Sequence, residues 1–218
     1  SCTMELSQLV ENGSWTASHY SAKRMKAIDK ITNTKGIKVK LLNELASFET
    51  KNRRRLKEED GSKCISVLHV IGDGVLDFDE LLTYKPKTKG NVCYEGDILV
   101  SKINPRIPRI IVVPKLDFPT TCSNEFEILK AKDGVDPFWL CYMLLEENLQ
   151  DQIQSLTSGT SSSHNRIKTS ELEIVKLPYP TSKSSVEKMN MISKSYKGHV
   201  LNVVSSMFAI NELRAKNA

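Results

Sequence analysis

Gly96-Asp97-Ile98-Leu99-Val100-Ser101-Lys102-Ile103-Asn104-Pro105-Arg106 is a turn, a strand and a stop. Gly96-Asp97 suits a tight turn, and Ile98 to Val100 is a short apolar run of the kind that forms a buried strand. Asn104-Pro105 ends the strand candidate Ile98–Ile103. Lys102, Arg106 and Arg109 stand at or beyond its end, where long basic side chains reach a surface. Outward from this stretch, further short strands are expected at Cys64–Ile71, Arg109–Val113, Phe126–Leu129 and Ile174–Leu177. Gly72-Asp73-Gly74, Pro114, Asp133-Gly134 and Pro178 separate them, the first as a hairpin turn.

Helical signals flank and interrupt the strands. In the lead-in, Leu6, Leu9 and Val10 form a short apolar turn ended by Gly13-Ser14. Tyr20, Ile28 and Ile31 then mark one face of a helix whose other face carries Lys23, Arg24, Lys26 and Lys30. Leu41, Leu42, Leu45, Ala46 and Phe48 predict a short helix before the run Arg53-Arg54-Arg55. Asp136 is placed to cap a helix with Pro137 at its first position. Phe138, Trp139, Tyr142, Met143, Leu145, Leu149, Ile153 and Leu156 continue its buried face for about five turns. Ser184 and Glu187 form a capping box for the last helix. There Met189, Ile192, Tyr196, Val200, Val203, Met207 and Ile210 recur at steps of 3 and 4, a two-position heptad seam. The same spacing also fits an amphipathic helix docked on its own domain.

The 218 residues carry 31 basic and 26 acidic side chains, a net charge of +5, in alternating blocks. Residues 35–57 sum to +6, 58–82 to −6, 85–115 to +5, 117–155 to −6 and 160–199 to +4. Basic blocks on one face invite a polyanion, of which nucleic acid is the commonest. No apolar run is long enough to span a membrane and nothing at the start has the form of a signal peptide. Five cysteines without a close pair (Cys2, Cys64, Cys93, Cys122, Cys141) argue against a Cys-x-x-Cys motif or a disulfide framework, and for a reducing, cytoplasmic setting.

Signatures of catalysis are missing. Gly72-Asp73-Gly74 lacks a third glycine for a phosphate loop, there is no Gly-x-Ser-x-Gly elbow, and His19, His69, His164 and His199 have no metal-ligand spacing. His69, alone in an apolar run, reads as a satisfied core residue. Asp73, Asp77, Asp79 and Glu80 read as a solvated loop rather than a nuclease site. The composition favours binding without turnover.

Three stretches carry a family resemblance. They are Gly96 to Arg106, Ser123-Asn124-Glu125-Phe126-Glu127-Ile128-Leu129, and a segment from Ser158-Gly159-Thr160 through His164, Arg166-Ile167 and Leu172 to Leu177-Pro178-Tyr179-Pro180. In that order and spacing they resemble the target recognition domain of type I restriction–modification specificity subunits, from Val39 to Pro180, about two thirds of the chain. The resemblance implies an α+β fold: a mixed-sheet recognition domain with packed helices at residues 36–181. A helical lead-in (1–35) precedes it and a long coiled-coil-type helix (182–218) follows. It also implies a sequence-specific DNA reader, without catalytic residues or a metal. Such a reader directs an adenine methyltransferase, and with it a restriction subunit, to double-stranded DNA. S-adenosylmethionine would belong to the methyltransferase partner.

The family's usual subunit carries two recognition domains, and this chain has room for one. A half-subunit, or a piece of a fused methyltransferase–specificity protein, is therefore expected. The lead-in with Trp15-Thr16-Ala17 and Tyr20 resembles the connector of such fusions. Arg53, Arg54, Arg55, Lys102, Arg106, Arg109, His164, Asn165, Arg166 and Lys168 are the candidate DNA contacts, since Asn and Arg read base edges and Lys holds phosphates. The heptad seam is the candidate homodimer or partner interface. The rival expectation is a protein-interaction module working through that helix, with the basic blocks incidental.

Overall fold

The computed structural model describes residues 16–57, 61–72, 74–158 and 165–216. Leu6, Leu9, Val10, Gly13, Trp15, Cys2, Asp73, His164 and residues 159–163 before it lie outside them. A 3-10 turn, Ala17–Tyr20, leads into α1 (Ala22–Thr32), β1 (Ile37–Leu41), the single turn α2 (Leu42–Leu45), β2 (Ala46–Phe48), β3 (Arg55–Leu56) and β4 (Lys63–Ile65). Then follow α3 (Phe78–Thr83), β5 (Gly90–Val92), β6 (Ile98–Ser101), β7 (Ile110–Val112), β8 (Thr120–Cys122) and β9 (Phe126–Ala131). The chain closes with α4 (Pro137–Leu145), α5 (Glu147–Ser155), α6 (Thr169–Glu173), β10 (Lys176–Pro180) and α7 (Lys183–Lys216).

A central antiparallel sheet, β2-β9-β6-β7, is buried on both faces. Successive strand residues point to opposite sides, so Ile98, Val100, Ile110, Val112 and Leu129 join one core with Trp139, Leu140, Leu144 and Leu177. Leu99, Ile111, Val113, Phe126 and Ile128 join a second with Ile65, Val67, Phe78, Leu81 and Cys122. The second core is covered by the mixed sheet β3-β5-β8-β4, in which β4 and β8 run parallel and the other pairs antiparallel. A two-stranded ribbon, β1-β10, joins the two ends of the middle segment, and α1 packs on α5 and sends Ile31 into the first core. The α+β class with a mixed sheet and a long last helix is what the structure shows.

Several local expectations change. Cys64–Ile71 is a strand only to Ile65, because Ser66 caps a 3-10 turn over Val67–His69 and the His69 Nδ1 accepts the Ser66 amide at 3.0 Å. His69 is indeed a buried core residue. The acids after the glycine turn are no solvated loop: the Asp77 carboxylate accepts the Glu80 amide at 3.1 Å and caps α3, with Asp79 and Glu80 in its first turn. The long helix from Asp136 is two helices broken at Glu146, where Gln150 Nε2 donates to the orphan Leu144 carbonyl at 2.6 Å. Asp136 does cap α4, accepting the Phe138 and Trp139 amides.

Pro178 and Pro180 lie inside β10 rather than after a strand, tolerated because the ribbon has two strands and leaves an edge. Arg24 belongs to the buried side of α1, with Nη1 donating to the His19 carbonyl at 2.6 Å. The last helix is capped two residues earlier than Ser184, by Ser182 and Ser185 bonding reciprocally.

At 34 residues, α7 is about 50 Å long. Its seam does not wait for a partner. Tyr196 and Val200 are 8% and 5% exposed in the first core, beside Met189 and Ile192, while Met207 packs against the second core. Val203 is partly buried and Ile210 is exposed. A narrow stripe and a docked face share one periodicity, and here the domain itself supplies the apolar surface for most of it. The outward side of α7 leaves Met191, Leu201, Ile210 and Leu213 in solvent. Among the described residues no helix is long and apolar enough to cross a membrane, and Cys64, Cys93, Cys122 and Cys141 are buried and outside any disulfide.

Candidate nucleic-acid interface

The end of β6 organises the basic surface. Beyond Ser101, the Lys102 amide donates to Glu125 O at 2.8 Å and the Lys102 carbonyl accepts the Ile167 amide at 2.9 Å. The Asn104 amide donates to Asn165 O at 2.9 Å, and Ile103 and Ser158 each form a bridge with Arg166. The strand end is thereby strapped to the segment around Arg166, with Ile167 2% exposed as its anchor. Residues 104–109 form the hairpin into β7. Asn104, at φ +44°, bends it, and the Ser101 amide closes it on Arg109 O at 3.0 Å. Arg106 and Ile107 are exposed on this hairpin and Arg109 is half-buried.

The candidate cations divide by their partners. Arg53 is not at the surface: its guanidinium meets Asp97 at 2.7 Å, with side chains 11% and 4% exposed, and lies over the Tyr94 ring. It sits at the start of β6, the opposite end from Lys102. Burial pushes the Asp97 carboxyl above its ordinary value, although the Tyr94 amide and Arg53 pull it down. Lys102 leans inward to Glu127 at 3.5 Å, a buried carboxylate that also accepts the hydroxyls of Thr50 and Thr169. Arg166 makes a bidentate contact with Glu125, and that hydrogen bond raises its guanidinium pKa. This pair is exposed, so it contributes about 0–1 kcal/mol and is easily exchanged for a phosphate.

Arg54, Arg55, Arg106 and Lys168 are exposed, and with Arg109 they make no ion pair among the described residues. Asn165 is partly buried and held by the Asn104 amide.

Arg55 connects to the β6 end through residues that sequence reasoning passed over. It lies opposite Asn91 in the β3–β5 ladder, and Asn91 Nδ2 donates to Asn124 Oδ1 at 3.2 Å. Asn124 precedes Glu125, the partner of Arg166. Arg55 Nη2 also donates to Lys89 O at 3.2 Å, bringing in the exposed Lys87 and Lys89. The available signal was the spacing Lys85, Lys87, Lys89 within the basic block 85–115. Among the described residues no cluster of three or more His, Cys, Asp or Glu side chains could hold a metal ion.

Among solved structures, the chain superposes on the HsdS subunit from Thermoanaerobacter tengcongensis with a TM-score of 0.50, at 15% identity over 84% of this chain and 46% of that one. It superposes on the type I restriction–modification system S subunit from M. genitalium with a TM-score of 0.53, at 17% identity over 84% and 45%. The chain has the fold of type I specificity subunits. It spans a little under half the length of each. No family model matches the sequence, and no curated protein matches it. In the specificity-subunit fold, the three stretches that carried the resemblance meet around one strand end. Gly96–Arg106 supplies β6 and its hairpin, Ser123–Leu129 the neighbouring β9, and Arg166–Ile167 the strap.

Proposed function

We propose that this chain is a DNA-specificity component of a restriction–modification system. On this reading it recognises double-stranded DNA through the β6–β7 hairpin and its strap, and directs an adenine methyltransferase, and with it a restriction subunit, to the site. The observation that carries the reading is the specificity-subunit fold with Arg106 and Arg109, which make no ion pair among the described residues, on a hairpin beside an exchangeable Arg166–Glu125 pair. Turnover belongs to the partners, S-adenosylmethionine to the methyltransferase, and a reducing cytoplasm is the setting. Arg106, Arg109, Arg166 and Lys168 are the contacts retained at the hairpin, Lys102 acts in positioning them, and Arg53 pairs with Asp97 at the far end of β6.

Titration of a fluorescent duplex at two salt concentrations tests this, because each phosphate contact releases counterion and steepens the salt dependence. Arg106→Glu with Arg109→Glu should weaken binding more than tenfold, over about 1.4 kcal/mol. Unchanged affinity in a folded variant removes the hairpin from the interface. Methyl transfer by the purified chain alone would overturn the division of labour.

The rival reading, a protein-interaction module, keeps one support: the outward side of α7 exposes Met191, Leu201, Ile210 and Leu213. Flat or absent duplex binding together with tight capture of a protein partner would favour it.

A further inference from the structure

The fold brings together two basic stretches that are about 30 residues apart in sequence. β3 pairs antiparallel with β5 through Arg55↔Asn91 and Leu56↔Gly90, and the Val92 amide donates to Arg54 O at 2.9 Å. One step past Leu56↔Gly90 stand Lys57 and Lys89, and Arg55 Nη2 holds the Lys89 carbonyl at 3.2 Å. Arg54, Arg55, Lys57, Lys85, Lys87 and Lys89 are all exposed and form no ion pair among the described residues. β3 is the outer strand of its sheet, so nothing within the sheet covers this ridge.

We propose that this ridge is a second DNA surface, separate from the hairpin, that holds the phosphate backbone without reading sequence. The proposal rests on the DNA-binding reading above. Arg54 to Lys57 spans about 10 Å at strand rise. A duplex carries one phosphate per roughly 1.7 Å of axis, so that length faces about six phosphates. The ridge also adjoins the hairpin region through Asn91 and Asn124, so a duplex engaged by the hairpin has its flank beside the ridge. The composition fits backbone contact. Four of the ridge's six cations are Lys, a flexible point charge suited to phosphate.

The purified full chain and a triple variant, Lys85→Gln, Lys87→Gln and Lys89→Gln, are titrated with a fluorescent duplex of mixed sequence across a salt series. All three side chains are exposed, so circular dichroism should be unchanged. Each lost phosphate contact lowers the slope of log K against log salt by roughly 0.9. Three contacts correspond to ~40-fold in the affinity change between about 50 and 200 mM salt. The expected result is a shallower slope by the same amount on unrelated duplexes. If the wild type binds with a steep slope and the variant keeps slope and affinity, the ridge is an ordinary solvated edge and the proposal fails while DNA binding stands. If the wild type binds no duplex at all, the DNA reading fails and takes the ridge with it.

Discussion

Breaking the Arg53–Asp97 pair tests whether it is a structural element of the β6 turn or a surface contact. The two groups meet at 2.7 Å with side chains 11% and 4% exposed, and the other Asp97 oxygen accepts the Tyr94 amide at 2.8 Å. Arg53→Met keeps the apolar stem and leaves a buried carboxylate without its cation, a loss of about 3–5 kcal/mol. Asp97→Asn keeps an acceptor for the Tyr94 amide and removes the charge. In the double variant no charge is buried, so Arg53→Met should there cost only about 1 kcal/mol of packing, and the coupling energy should exceed ~2 kcal/mol. An exposed pair would give about 0.2–1 kcal/mol.

Urea unfolding of the four proteins, read at constant m-value, measures the cycle. Desolvation already holds the Asp97 carboxyl above its ordinary value, and losing Arg53 raises it further. A carboxyl with a raised folded pKa binds protons preferentially in the folded state. The penalty in Arg53→Met should therefore be largest at neutral pH and shrink as pH falls through the folded pKa. Duplex affinity should not change in Arg53→Met. A coupling below about 1 kcal/mol, or a loss independent of pH, would refute the assignment of Arg53 to the interior.

Gly198 lies in α7 with open space where a Cβ would stand, so Gly198→Ala should stabilise the protein by about 0.5–1 kcal/mol, visible as a higher urea midpoint. Gly74→Ala should do the reverse, because Gly74 has φ +74° and its Cβ would meet the Tyr196 hydroxyl. Val200→Asp places a carboxylate in the first core and should lower stability by at least ~2 kcal/mol in a thermal or urea melt, whatever the oligomeric state. Desolvation holds the His69 imidazole below its usual value, against the pull of Glu80 and Asp77. Protonation is thus disfavoured in the folded state, and stability should fall as pH drops below about 6.5. In His69→Gln, urea midpoints from neutral to mildly acidic pH should show a weaker fall.

The amino-acid sequence determined what a few neighbouring residues can settle between them. Asp136 and Pro137 start α4 where their capping chemistry requires. The apolar runs around Ile98–Val100 and Ile110–Val112 are strands, and the three spaced stretches point to the fold that the structural neighbours share. Tertiary structure decided which side each element turns inward. The stripe on α7 has the period of a coiled-coil seam and of a docked face alike, and what chooses is the apolar surface that the folded domain presents to Tyr196 and Val200. Arg24 reads as one more surface cation on α1 until His19 supplies a carbonyl for it in the interior.

The candidate interface was decided in the same way. Arg53, Arg106 and Arg166 are equally basic in the sequence, yet Arg53 is paired across 44 residues with Asp97, Arg166 across 41 with Glu125, and Arg106 has no ion pair among the described residues. Propensities and caps act within one or two turns of the chain. Whether a charge is free depends on the acid that packing brings beside it, and that neighbour is in place only once the strands have paired.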